Sequence, residues 1–150
     1  MIAAACAGFL IAVLWMDLIF DSQVLRQRSA DVLPEAVLAS ICAYYRRATT
    51  TSRPMSFLIA LVMVILLGAL GFAWISGPTA DWPLAAASFL AVGPILLAML
   101  RTVPNAVRLG ARTGDIAEQS RLARAVCVDH LVCVACLAGF LAVWLANSAR

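Results

Sequence analysis

The stretch FLIALVMVILLGALGFAWIS, residues 57–76, carries no charged side chain. It decides the fold, because about 20 helical residues cross the roughly 30 Å hydrocarbon core of a bilayer, and lipid offers backbone N–H and C=O groups no partner outside the helix. Three further runs qualify, Ile2–Phe20, Leu84–Leu100 with Gly93-Pro94 in its middle, and Ala125–Ala146. The chain reads as an all-α integral membrane four-helix bundle, a single transmembrane domain over residues 1–150 with spans at about 2–20, 57–76, 84–100 and 125–146. Composition agrees: 64% of the residues are hydrophobic, 13% are charged and the mean hydropathy is +0.97. A soluble enzyme, a disulfide scaffold, a disordered chain or a nucleic-acid module each needs more charge or less apolar surface. The lipid bilayer is the expected partner, and nucleic acid is not.

The eleven basic residues are all Arg. Arg26, Arg28, Arg46, Arg47 and Arg53 lie between the first and second spans, and Arg101, Arg108, Arg112, Arg121 and Arg124 lie between the third and fourth, while the connection Gly77–Pro83 has none. The positive-inside rule then predicts a multi-pass protein of the cell (inner) membrane, with both Arg-rich connections cytoplasmic and both termini outside. The first span lacks the basic flank of a cleavable signal peptide and is expected to stay. Trp74, Trp82 and Trp144 fall at the outer interface, and Trp15, Tyr44 and Tyr45 near the inner one, as amphipathic rings prefer.

Between the first two spans, Val37, Leu38, Ile41, Tyr44 and Tyr45 recur at helical spacing from Pro34 to Arg47, with Asp31 and Glu35 at the positive end of the helix dipole and Arg46-Arg47 at the negative end. This amphipathic cytoplasmic helix has two placements, flat on the inner leaflet or as a lid over a site between the helices. Thr49-Thr50-Thr51-Ser52 and Pro54 supply caps and a first-turn residue for the second span. In the second Arg-rich connection, Asp115-Ile116-Ala117-Glu118 after Gly114 has capping-box spacing, so the fourth helix starts near Ile116 and projects beyond the membrane beside an extension of the third, which Pro104 kinks.

Ionisable side chains within spans cost about 2.5–3.5 kcal/mol each on insertion scales, which makes them functional candidates. Asp17 and Asp21 on the first span, Arg101 and Asn105 after the third, and Asp129 and His130 on the fourth all fall at the cytoplasmic third of the bundle. A purely structural reading pairs Asp17 with Arg101 and lets Asn105 and His130 fasten helices. A functional reading places them around a pocket. Cys127, His130, Cys133 and Cys136 step by three along the fourth helix, which drifts off one face, and no second His completes a tetrahedral set, so no metal is expected. Cys133-Val-Ala-Cys136 is similar to the redox pair of quinone-linked disulfide-forming enzymes, but it sits in mid-span without shuttle cysteines outside, and the five Cys read as small apolar filler. Without Lys, a phosphate loop or a Ser-His-Asp order, pyridoxal, kinase and hydrolase chemistry drop out.

Tyr44-Tyr45 before the second span, the Val103-Pro104-Asn105-Ala106-Val107-Arg108-Leu109 run, and Arg121-Leu122-Ala123-Arg124 leading to His130 together resemble the anthrone oxygenase-like family of small four-helix membrane proteins. Ala106 stands where that family usually has a polar residue, and Ala125 and Val126 where it often has Trp. The resemblance implies a cofactor-independent oxygenase. A base removes a proton from an anthrone- or hydroquinone-like carbon acid and the carbanion reacts directly with dioxygen. On that reading His130 or Asp17 is the base, Arg101 and Asn105 stabilise the enolate oxygen, and Tyr44, Tyr45, Asp21 and Asp129 line the site of a small aromatic or quinone-like ligand. The competing class is a non-enzymatic carrier or assembly protein; four helices leave little room for alternating access, so a carrier would be a homo-oligomer.

Overall fold

The computed structural model describes residues 1–76 and 82–148. Four apolar helical stretches run longer than the hydropathy alone marks, the third because it continues without a break from Trp82 to Gly110. Helix α1 spans Ile2–Leu25, α3 Arg53–Ser76, α4 Trp82–Leu97 and α6 Ile116–Ser148. The connection expected outside the membrane at Gly77–Pro83 falls, over 77–81, outside the described residues. The helices pack in a ring: α1 against α3, α3 against α4, α4 against α6 and α6 against α1. Ala3, Ala7 and Leu10 of α1, Leu66 and Leu70 of α3, Ala87, Ala91 and Ile95 of α4, and Leu137 and Phe140 of α6 form one apolar core near the chain termini. The outer faces remain apolar, with Phe57, Val64, Phe72 and Phe89 exposed, and in α3 only Leu66 and Leu70 are buried. A helix apolar all round with so little of it covered is a helix dissolved in lipid.

At the opposite end sits a crown of two short helices, α2 over Glu35–Thr50 and α5 over Val103–Gly110. Pro34 opens α2 in extended conformation, and the Thr49, Thr50 and Thr51 hydroxyls donate to the carbonyls of Tyr45, Arg46 and Arg47, fastening its last turn. These threonines thus close α2 as well as leading into α3. Of the two placements open to it, α2 takes the one over the bundle. Leu38, Ile41, Cys42 and Tyr45 are buried against Ala106 and Leu109 of α5 and Leu122, Ala123, Val126 and Cys127 of α6 in a second apolar core. The segment between α1 and α2 is tied down by Leu33 N–H donating to Ser120 Oγ at 3.0 Å and by the Arg124 guanidinium on the Ala30 carbonyl.

Two backbone features set the crown. Pro104 has no N–H to offer the preceding turn, and the chain answers with a π turn at Ala98–Thr102, closed by the Val103 N–H on the Ala98 carbonyl. Gly110 is where α5 meets α2. A Cβ there would lie 2.8 Å from the Arg46 backbone nitrogen, which only backbone movement could relieve. Gly110→Ala is therefore expected to destabilise by about 1–3 kcal/mol, the usual cost of overpacking, and unfolding in detergent should show it. Gly114, at φ +92°, makes the turn before α6, and Asp115 Oδ1 accepts from the Glu118 N–H at 2.7 Å, as the capping-box spacing predicts.

Candidate functional site

The polar residues occupy the layer between the two apolar cores. Asp17 and Asp21 stand four residues apart on α1 and so share a helix face, α6 supplies Asp129 and His130, and α2 brings Tyr44 and Tyr45 from the crown. Asp21, fully buried, is the hub. Its Oδ1 accepts the Tyr45 hydroxyl at 2.8 Å, and its Oδ2 lies 2.7 Å from His130 Nδ1. The Tyr45 hydroxyl also lies 2.9 Å from Oδ2, so Oδ2 is shared between the phenol and the imidazole; a carboxylate only accepts, so Nδ1 carries the proton facing it and Nε2 lies on the far side of the ring.

Nε2 faces Asp17, whose Oδ2 is 3.9 Å off, too far for a direct hydrogen bond. The other oxygen of Asp17 accepts the Tyr44 hydroxyl at 2.5 Å. Tyr44 stacks on Phe20 with centroids 4.1 Å apart and meets Tyr45 edge-on at 5.2 Å. The result is one row of side chains, with Tyr45, Asp21 and His130 joined by hydrogen bonds and facing the hydrogen-bonded Asp17–Tyr44 pair across the 3.9 Å gap, fully buried at the Tyr45 end and reaching partial exposure at Asp17 and Tyr44. Burial first, then the neighbouring Asp21 and Asp17 carboxylates, hold the Tyr45 phenol well above the usual phenol range. Burial and the hydrogen bond to Asp17 do the same for Tyr44. Both phenols are O–H donors at physiological pH, and neither serves as a base.

Arg101 does not join Asp17. Its Nε lies 3.4 Å from Oδ2 of Asp129, a buried carboxylate that also lies 3.2 Å from the Thr102 hydroxyl. The expected Asp17–Arg101 pair is corrected by the ring order: α1 neighbours α3 and α6, α4 neighbours α3 and α6, and the two stand across the bundle from each other. Asp129, expected beside a ligand, instead has Arg101 and Thr102 as its partners. Asn105 is half-buried on α5 and makes no hydrogen bond into the Asp21–His130 series. The pocket in the crown lies between α2 and α5 and is lined by neither Asn105 nor His130. A double-mutant cycle is expected to give about 0.5–3 kcal/mol of coupling for Arg101 with Asp129, and nothing beyond about 0.5 kcal/mol for Arg101 with Asp17. The reverse result would restore the Asp17 pair.

Comparison of the chain with known protein families, with curated proteins and with solved structures gives no match. Its chemistry therefore rests on the geometry of these side chains. Two of them escape a reading of the sequence: Thr102, placed on Asp129 by the π turn, and Phe20, placed under Tyr44 by the lean of α2 on α1. Phe20 sits three residues after Asp17 and could be found from that spacing, whereas nothing local marks Thr102. Cys6, Cys42, Cys127 and Cys133 are buried, Cys6 in one apolar core and Cys42 and Cys127 in the other. What the series can do is hold an imidazole in one tautomer in a dry layer, with its basic nitrogen beside a carboxylate that reaches partial exposure.

Proposed function

We propose that this protein is an acid–base enzyme of the membrane, a cofactor-independent oxygenase for an anthrone-like carbon acid, as the family resemblance implies. The observation that carries the reading is the Asp21–His130 pair at 2.7 Å, with Nε2 unengaged by a direct hydrogen bond. In this reading Nε2 takes the proton from the acidic CH₂ of the substrate, and Asp21 stabilises the imidazolium that results. The enolate carbon forms a C–O bond to dioxygen, and the resulting peroxide anion takes the proton back from the imidazolium to become a hydroperoxide. It then loses its remaining C–H proton and hydroxide as water, leaving a carbonyl, so that one O₂ converts CH₂ to C=O plus H₂O. Arg101 is committed to Asp129 and the Tyr44 hydroxyl to Asp17, so in this reading Tyr44 donates to the developing enolate oxygen once the substrate displaces Asp17 from that hydroxyl. The substrate enters at the Asp17–Tyr44 end from the apolar side, where Phe20 and Tyr44 offer a flat aromatic surface.

The accompanying topology places the crown in the cytoplasm and both termini outside. Single-Cys variants in a background without the native cysteines are expected to be labelled from outside at Thr79 and sheltered at Thr113. The opposite pattern would invert the orientation.

One observation favours a second, non-enzymatic reading. Among the described residues no side-chain nitrogen or oxygen fully shut off from solvent lacks a hydrogen-bond partner, and His130 Nε2, which has none, keeps some access to solvent; so complete a set of partners befits a network that fastens helices. Oxygen uptake by proteoliposomes supplied with anthrones, together with the absorbance of any aromatic carried through purification, separates the two. Uptake that depends on the protein and on His130 supports the oxygenase. Folded protein with neither uptake nor a bound aromatic leaves the fastening role.

A further inference from the structure

Between α2 and α5 the crown holds an open cavity of about 530 Å³, away from the Asp21–His130 series. Its walls include Cys42, Arg46, Thr49 and Thr50 of α2, with Gly110 and Arg112 at the end of α5. The two helices come together backbone to backbone at Gly110, the last residue of α5, and Gly110 forms part of the cavity wall. We propose that this cavity is an anion site for a phosphate ester, the headgroup of an anionic lipid or a soluble phosphate monoester, held by Arg46 and Arg112.

The hydrogen-bond inventory selects that ligand class. The Thr49 and Thr50 hydroxyls donate to the Tyr45 and Arg46 carbonyls at 2.7 and 2.5 Å, so the donors left for a ligand are the guanidinium groups. Arg46 is exposed and has no carboxylate within ion-pair distance among the described residues. Arg112 meets Glu35 at 2.7 Å, a pair exposed on both sides and therefore weak enough to open for a better acceptor. Burial pushes the Cys42 thiol up, so the floor contributes no competing negative charge. Planar guanidinium groups match phosphate oxygens in pairs, and a pocket of this size admits a phosphate together with its ester. The cavity also stands beside Thr50, three residues before the spanning helix α3 begins at Arg53, where lipid headgroups are found. An occupant would tie α2 to α5 and so bear on Tyr44 and Tyr45, which α2 carries into the buried layer.

The test uses the full chain purified in detergent. Native mass spectrometry reads the retention of phosphatidylglycerol against phosphatidylcholine, and thermal shift reads binding of sn-glycerol 3-phosphate. Phosphatidylglycerol is expected to be retained in preference, and Arg46→Gln with Arg112→Gln to lower retention about ten-fold or more, the scale of one lost charge-assisted contact. Glu35→Gln, which frees Arg112, is expected to raise it. Arg-dependent binding of the lipid alone identifies a headgroup, and Arg-dependent binding of the soluble ester as well identifies the phosphate as the recognised part. Equal retention of the two lipids with no Arg-dependent binding of the soluble ester, binding indifferent to the Arg substitutions in folded protein, or a loss of binding on Glu35→Gln would each overturn the proposal.

Discussion

His130→Gln is expected to lower anthrone-dependent oxygen uptake by about 10²–10⁴-fold, the usual contribution of a positioned general base, while the protein stays folded. Glutamine fills nearly the same space and can still donate to Asp21, but it has no lone pair that accepts a proton near neutral pH. His130 is the only imidazole in the chain, and the phenols of Tyr44 and Tyr45 are held as O–H donors, so no neighbour of the same basicity stands in for it. The measurement is uptake at matched amounts of folded protein across pH. Protein-dependent turnover left intact by the substitution would move the base to Asp17. The conservative companion is Tyr45→Phe, which removes one hydrogen bond from Asp21 and leaves the ring packed. Loss of turnover there with unchanged stability would mark Tyr45 as a positioning residue.

The second large effect is on stability. Asp21→Ala strands the Tyr45 hydroxyl and the His130 Nδ1–H in the driest part of the protein, with Asp21 itself 0% exposed. Removing one partner of a buried charged pair costs about 3–5 kcal/mol in soluble proteins. Interhelical hydrogen bonds in bilayers average only about 0.6 kcal/mol, because the unfolded chain in lipid also finds partners. A loss of about 3 kcal/mol is therefore expected, near the lower end of the range for charged pairs and above what two neutral hydrogen bonds would give. Asp17→Ala should cost less, since Asp17 and Tyr44 reach partial exposure and water can replace the lost partner. Unfolding in mixed detergent reads both. An Asp21→Ala variant as stable as the parent would show that the network does not hold the helices, and would shift its meaning toward chemistry alone.

Hydropathy located the four spanning helices but stopped short of their ends. The first runs to Leu25 instead of Phe20 and the second begins at Arg53 instead of Phe57, because an apolar run records where hydrocarbon lies, whereas a helix continues until a cap or a proline ends it. The capping box at Asp115 was legible because it is local, and so was the apolar face of α2. The depth shared by Asp17, Asp21, Asp129 and His130 was legible as well, since helical rise and span boundaries are properties of single segments. Which of these residues touch was not. Asp129 has Arg101 and Asp21 has His130 because α6 stands next to both α1 and α4 while α1 and α4 stand apart, an order of helices that no single periodicity encodes.

Tyr45 marks the same boundary. In the sequence it is an aromatic on an amphipathic helix with two possible placements, and a ligand contact is a natural role for it. Tertiary packing buries the ring in the crown core and aims its hydroxyl at Asp21, making it a support of the imidazole. The sequence by itself determined the solvent, the spans, the crown helix and the layer in which charge sits, since each follows from transfer energies along one segment. Only the packing of α2 and α6 against α1 decided that Asp21 joins His130 to Tyr45 and that Asp17 with Tyr44 faces them, because hydrogen bonds require neighbours and neighbours are set by the whole bundle.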